Sequence, residues 1–323
     1  MHRVLWVLLL LCLAGPAPRA QPAGAFPERP VRLVIPLPPG GSNDLIGRIL
    51  AHGMAQRLGQ PVVVENRSGA RGVIGAEAVA RAAPDGHTVL LGGGGFTLNH
   101  LVRASLPYDP QTGFAPVGLA GTAAIAILVH PGVPATDLAR LRQVMLAAQP
   151  PLRLATSGVG TTGHALGEML AQVFGAELDH VPYRGSGPVL TDLLQGRVQL
   201  YPNVLAPLLR QIREGQLRAI ALAGNRRSAV MPELPTAAEQ GFPEVMASNW
   251  YGLLATGGTA PERVARLHAA LNATLATPES RRKLEEAGLD VEPSPSPDAF
   301  ADHLQQDIQR WLPVVRRAHI RVE

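Results

Sequence analysis

The sequence predicts an α/β fold built on mostly parallel sheets, and three observations carry that prediction. Short apolar, β-branched runs alternate with longer segments of helical periodicity. Glycine follows several of those helical segments directly, as at Gly175 and Gly196. The chain has 323 residues, 46% of them hydrophobic and 17% charged, which leaves room for two domains with sizeable cores.

In chain order, "VRLVIP" (31–36) reads as a strand and precedes a helix over 44–58, with apolar positions Leu45, Ile46, Ile49, Leu50 and Leu58. "PVVVEN" (61–66) precedes a helical "VIGAEAVARAAP" (73–84), and "HTVLLGG" (87–93) follows. The run "FAPVGLAGTAAIAILVHP" (114–131) is extended and apolar, and a helix follows near 138–148. "LRLATSG" (152–158), "LDHVPY" (178–183) and "VQLYPN" (198–203) are each followed by a helical segment, near 162–174, 188–195 and up to about 214. "LRAIALAG" (217–224) and "NWYGLLAT" (249–256) are the last strands, ahead of helices at 261–276, 278–287 and 297–318. Strand–helix alternation of this kind gives parallel sheets with helices on their faces.

The N-terminus reads as an export signal over residues 1–25. Arg3 precedes an apolar run, Val4 to Leu13, of about ten residues, too short to span a bilayer. "AGA" at 23–25 supplies small residues for cleavage near Phe26. The only cysteine, Cys12, lies inside this signal, so the mature chain is expected to carry no disulfide and no cysteine-held metal. Removing Arg3 and Arg19 takes the formal charge from +4 to +2, too small to argue for nucleic acid. Lys283 is the only lysine, which excludes a phosphate-binding G-x-x-x-x-G-K-[ST] loop.

Ligands of open α/β sheets bind beyond the carboxyl ends of strands. Four loops there share one chemistry: "PGGSND" (39–44), "GGGGFTLN" (92–99), "SGVGTTGH" (157–164) and "YRGSGP" (183–188), where Ser186 is placed to cap a helix. Glycine allows close backbone approach, and hydroxyls and amides supply uncharged hydrogen-bonding groups. Opening helices, such loops attract a carboxylate or phosphate to unpaired backbone N–H groups. Several charge-assisted hydrogen bonds, about 1.5–3 kcal/mol each, outweigh a dipole contribution of about 0.3–1 kcal/mol. Catalytic signatures are missing. There is no G-x-S-x-G and no H-E-x-x-H, and "GGGGFTLN" fails G-x-G-x-x-G at Thr97 or Leu98. His164 and Glu168 share a helix face, which suits an ion pair or cap better than a metal site. The reading is a binding protein with no catalytic residues, metal or cofactor.

Over nearly the whole mature chain the sequence resembles the solute-binding receptors of tripartite tricarboxylate transporters, the Bug-type receptors. The stretch from "FPERPVRLVIPLPPGGSNDLIG" to "AAPDGHTVLLG" carries the likeness, continued by "LPYDPQTGFAPVGLAG", "HVPYRGSGPVLTDLLQGRV", "LPTAAEQGFPE" and "NWYGLLATGGTAPE". The resemblance implies a periplasmic, two-lobe binding protein of type II-like architecture. Lobe one would be residues 26–125 plus 249–323 and lobe two residues 126–248, joined by two crossing strands and closing on a small organic carboxylate. Membrane transporter subunits, or a signalling partner instead, would read the closed form, for which a monomer suffices. By position, the ligand residues implied are Pro39, Gly40, Gly41, Ser42, Asn43 and Asp44, with Phe96 and Thr97, from lobe one. Lobe two would add Ser157, Thr161, Thr162, His164, Arg184 and Asn203. Asp44 is expected to organise its own loop, since a bare carboxylate repels an anionic ligand. This chain departs from the family at Gln199, Pro202 and the glycine-rich "GGGGFTLN", and Phe96 and Tyr201 are the candidates for an apolar wall.

Overall fold

The computed structural model describes residues 26–322, so the expected export signal at 1–25 lies outside the described residues. Ten strands and ten α-helices alternate. The strands are β1 (Val31–Ile35), β2 (Val62–Asn66), β3 (Thr88–Gly93), β4 (Phe114–Val129), β5 (Leu152–Thr156), β6 (Leu178–Pro182), β7 (Leu200–Val204), β8 (Arg218–Leu222), β9 (Ser248–Thr256) and β10 (Asp290–Val291). The helices are α1 (Ser42–Leu58), α2 (Val73–Ala80), α3 (Gly94–Val102), α4 (Leu138–Ala147), α5 (Thr162–Phe174), α6 (Ser186–Leu194), α7 (Leu209–Arg213), α8 (Pro261–Leu275), α9 (Pro278–Glu286) and α10 (Pro297–Arg317).

The strands form two connected sheets. The first runs β2-β1-β3-β9-β4, with β10 on the far edge of β4. Its β1–β2 and β1–β3 pairs are parallel, and β9 is antiparallel to both neighbours. The second holds β7, β5 and β6, with β8 also paired to β4. The 16-residue β4 belongs to both: Phe114–Ala124 pairs with β9 and Ile125–Val129 with β7. Two register shifts bend it, one between Pro116 and Gly118 and one between Leu119 and Gly121. Gly121 sits there with φ 157°, and a Cβ on it would lie 2.3 Å from the Asp290 carbonyl, so only glycine fits.

Each sheet buries both faces. The strand VRLVI keeps Val31, Leu33, Val34 and Ile35 fully buried, the near-continuous apolar pattern of a parallel strand covered on both sides. α1, α8 and α9 cover one face of the first sheet, packing Ile46, Leu50 and Leu267 against Leu33 and Leu253. α2 and the start of α10 lie over the other face, where Trp250 meets Phe300 edge-on at 5.6 Å.

α10 is shared between the two halves. The family resemblance implies that residues 249–323 belong to lobe one, and Phe300 packs against the first sheet. Trp311, Val314 and Val315 instead join the second core beside Leu166, Leu170 and Phe174 of α5. Trp311 is fully buried, and truncating so large a core side chain costs about 3–5 kcal/mol. This helix therefore ties the halves together with its own apolar stripe.

α3 is absent from the sequence reading, which treats "GGGGFTLN" as loop. Four glycines give the segment poor helix propensity. Burial of Leu98 and Val102 in the second core overrides that propensity.

Candidate functional site

The loop between β1 and α1 is built around Asp44. Its Oδ2 accepts the Gly40 N–H at 3.1 Å and Arg48 Nε–H at 3.0 Å, and its Oδ1 accepts Asn66 Nδ2–H at 3.0 Å. The Arg48 hydrogen bond, helped by those from Gly40 and Asn66, lowers its carboxyl from 3.8 to about 2 against the opposing effect of burial. Asp44 is thus buried and committed to its own loop, as the sequence suggests. α1 starts two residues earlier than its periodicity indicates, at Ser42, with Gly41 as a cap that offers no side-chain bond. Pro39, Gly40 and Gly41 are exposed, and Ser42 and Asn43 half-buried.

Beside it β3 runs directly into α3, with Gly93 the last strand residue and Gly94 the first of the helix. Gly94 N–H donates to Asn249 Oδ1 at 3.2 Å, which fixes the first turn of α3 to β9. Nothing stands within 4 Å of where a Gly95 Cβ would be, so that stretch of backbone is open. Phe96 meets Phe114 edge-on at 5.0 Å. Thr97 turns the other way: its Oγ1 accepts the Trp250 indole N–H at 3.3 Å, which also reaches the Asp307 carboxylate at 3.0 Å. Thr97 is 3% exposed and braces the first turn of α3 from below.

In the second half, Thr161 caps α5. Its Oγ1 accepts the His164 N–H at 3.4 Å and donates to the Gly158 carbonyl at 2.8 Å. His164 is buried, and its Nδ1 accepts the Gly160 N–H at 3.0 Å. That fixes the ring proton on Nε2, which faces Glu168 at 3.7 Å. His164 therefore holds the loop and does not point into the cleft. His180 stacks on it at 3.8 Å and bonds Thr156 Oγ1 at 2.7 Å. Burial, then repulsion from His164, pulls His180 down to about 4. Ser157 fastens the next loop, its carbonyl accepting the Gly185 N–H at 3.2 Å.

Other expectations are corrected. α6 starts at Ser186 behind a Gly185 cap with no side-chain bond, so Ser186 is no cap. Tyr201 is 1% exposed, packed with Val189, Leu193 and Leu205 in a separate cluster of the second half, and it forms no cleft wall. Asn203 donates to the Tyr201 hydroxyl and accepts the Val204 N–H at 2.8 Å, so its amide is spent locally. Gln199 bridges Arg153 N–H and the Gly196 carbonyl at the far end of β7. Arg184 stands exposed at the edge of its loop.

A cavity of about 110 Å³ opens at the carboxyl ends of β1 and β3. Of the expected residues, Asn43 and Phe96 line it; the sequence reading missed Arg71, Asn99, Tyr108 and Asn249. Burial pushes the Tyr108 hydroxyl up to about 12, so it stays a donor. The second half comes up against this rim: a Cβ on Gly94 would lie 3.1 Å from Thr162 Oγ1. Loops 39–44, 92–97 and 157–164 thus converge on one region, with amides, hydroxyls and carboxamides as its chemistry. Among the described residues, no three His, Cys, Asp or Glu side chains converge as metal ligands would.

Comparison with known proteins agrees with this geometry. The sequence profile of the family described as "Tripartite tricarboxylate transporter family receptor" matches residues 46–320. Protein BugT of Bordetella pertussis is 35% identical over 322 residues, covering 98% of this chain and 97% of BugT. Among solved structures, Rpa4515 of R. palustris with adipate has a TM-score of 0.81 at 34% identity, covering 92% of this chain and 99% of its own. MatC of Rhodopseudomonas palustris with bound malate has a TM-score of 0.77 at 33% identity, covering 90% and 100%.

Proposed function

This chain belongs to the tripartite tricarboxylate transporter receptor family, whose members are periplasmic solute-binding proteins, and from that premise we propose that it captures a small organic carboxylate and presents it to a membrane transporter. The observation that carries the reading is that segments 39–44 and 92–97 line one cavity with no acidic side chain, while Thr162 of the other half stands against its rim. Exposed backbone amides at helix starts are aimed where a carboxylate would sit.

The two lobes meet along β4, β9 and α10. The carboxylate first contacts the β1–α1 and β3–α3 loops, and the β5–α5 loop then swings against it. The ligand shifts this equilibrium only by its differential affinity for the closed state, and the bent β4 absorbs the rotation. Ser42, Asn43 and Thr162 meet the ligand in this scheme. Asp44, Thr97, Thr161 and His164 hold the loops that do. The protein acts after export to the periplasm; among the described residues no helix is long and apolar enough to cross a membrane. Binding without turnover is the proposed activity.

Isothermal titration of purified protein with a panel of mono-, di- and tricarboxylates tests this. A one-to-one complex, from which the ligand is recovered intact, is the expected result. Conversion of the carboxylate, or no binding across the panel, overturns the reading.

A further inference from the structure

Arg71 sits in the wall of the cavity with no carboxylate among the residues that line it. Its Nη1 is shielded from solvent and has no hydrogen-bond partner. Burial, and after it the neighbouring Arg103 cation, works against its charge; arginine nevertheless stays protonated in proteins. Arg71 is half-buried as a whole, and a buried guanidinium nitrogen without a partner is unfavourable, since native structures pair such groups.

The backbone beneath it is also unfavourable. Residues 69–72 all have positive φ, and Arg71 itself has φ 56° and ψ 41°, a conformation that favours glycine. The turn is clamped in that shape. Gly72 N–H donates to the Gly69 carbonyl at 2.9 Å. From α3, Asn99 Nδ2–H donates to the Arg71 carbonyl at 3.0 Å and Arg103 Nη2–H to the Ala70 carbonyl at 3.1 Å. The clamp aims the guanidinium across the cleft: Nη1 lies 3.4 Å from where a Gly160 Cβ would be and 4.0 Å from that of Gly158. Two local penalties, a strained arginine and a buried guanidinium nitrogen without a partner, thus coincide at the point where the two halves meet, and such coincidences mark functional positions.

Resting on the receptor reading above, we infer that Arg71 is a specificity-determining residue that pairs with a second carboxylate of the ligand, so that the site selects small dicarboxylates over monocarboxylates. One carboxylate takes the open amides at the start of α3. The other meets Arg71, whose planar fork suits a carboxylate. Leu90 and Phe96 flank the carbon chain between them.

The test uses matched pairs that differ by one charge: succinate and succinamate, glutarate and glutaramate, adipate and adipamate, beside benzoate as a plain monocarboxylate. Each is titrated into the ligand-stripped wild type, Arg71→Gly and Arg71→Lys. Glycine suits φ 56°, so Arg71→Gly is expected to melt no lower than wild type without ligand. Its affinity for the best-bound diacid falls about 10- to 100-fold, while that for the matching monoamide changes less than about three-fold. Arg71→Lys keeps part of the diacid preference. Equal losses for both members of a pair, no loss at all, or a lower unliganded melting temperature in Arg71→Gly overturns the inference. Wild type that binds benzoate but none of the diacids overturns it too and leaves the receptor reading standing. Wild type that binds no carboxylate removes both.

Discussion

Replacing Asp44 by asparagine removes the group that organises the β1–α1 loop. The drop of its carboxyl from 3.8 to about 2 corresponds to a ceiling of about 2.5 kcal/mol of stability at neutral pH. Arg48, the largest cause, is 54% exposed, and a solvated partner of that kind contributes only about 0.2–1 kcal/mol. Asparagine also keeps one acceptor oxygen, but its NH₂ faces a donor, Gly40 N–H or Asn66 Nδ2–H, and loses about one hydrogen bond, roughly 1 kcal/mol. The expected loss is therefore about 1–2 kcal/mol at pH 7. Because the folded-state value is depressed, this stability is present above the unfolded value near 3.8 and is lost as pH falls toward about 2. Urea denaturation of wild type and Asp44→Asn at pH 7 and pH 3 reads it directly. The gap between the two proteins is expected to shrink by about half at pH 3. A gap of the same size at both pH values, or none at pH 7, refutes the assignment of Asp44 as a charged loop anchor.

Ser42 makes no cap bond to α1, so Ser42→Ala is expected to keep chemical stability within about 0.5 kcal/mol of wild type while carboxylate binding weakens by about 0.5–2 kcal/mol; unchanged titration removes Ser42 from the site. Thr161→Val loses both the α5 cap and the bond to the Gly158 carbonyl, and is expected to lower stability by about 1 kcal/mol in a denaturant melt and to weaken binding; a stable variant with normal binding contradicts the loop assignment. His180 is depressed to about 4 by burial and His164. The folded state therefore resists protonation, and stability falls as pH drops from 6.5 toward 4. His180→Gln is expected to flatten that slope in thermal melts, and an unchanged slope removes His180 as its source.

How far the sequence carried differs between elements for physical reasons. β1 and β4 were legible because burial along most of their length leaves near-continuous apolar runs. α3 was not, since its glycines hide a helix that exists by virtue of Leu98 and Val102 packing in the other half. The division of α10 has the same origin: one continuous amphipathic pattern serves two cores, and periodicity cannot say which residues meet which. At the site, the loops were legible from glycine and hydroxyl content, but side-chain direction was not. Thr97 and His164 turn inward to Trp250 and Gly160 because their loops need bracing there. Asn203 and Tyr201 consume each other's polar groups on β7. Arg71 was hidden in plain view in "SGARGV"; an arginine amid glycines is the only trace, and its meaning depends on a backbone conformation that no spacing rule predicts.

The central claim is that loops from both halves hold one carboxylate between them. A crystal structure of the protein with the tightest-binding member of the carboxylate panel measures this directly. Ligand oxygens are expected within hydrogen-bonding distance of residues from 39–44 or 92–97 and, at the same time, of residues from 157–162. A ligand held by one half alone, or on an outer face away from Asn43 and Thr162, contradicts it.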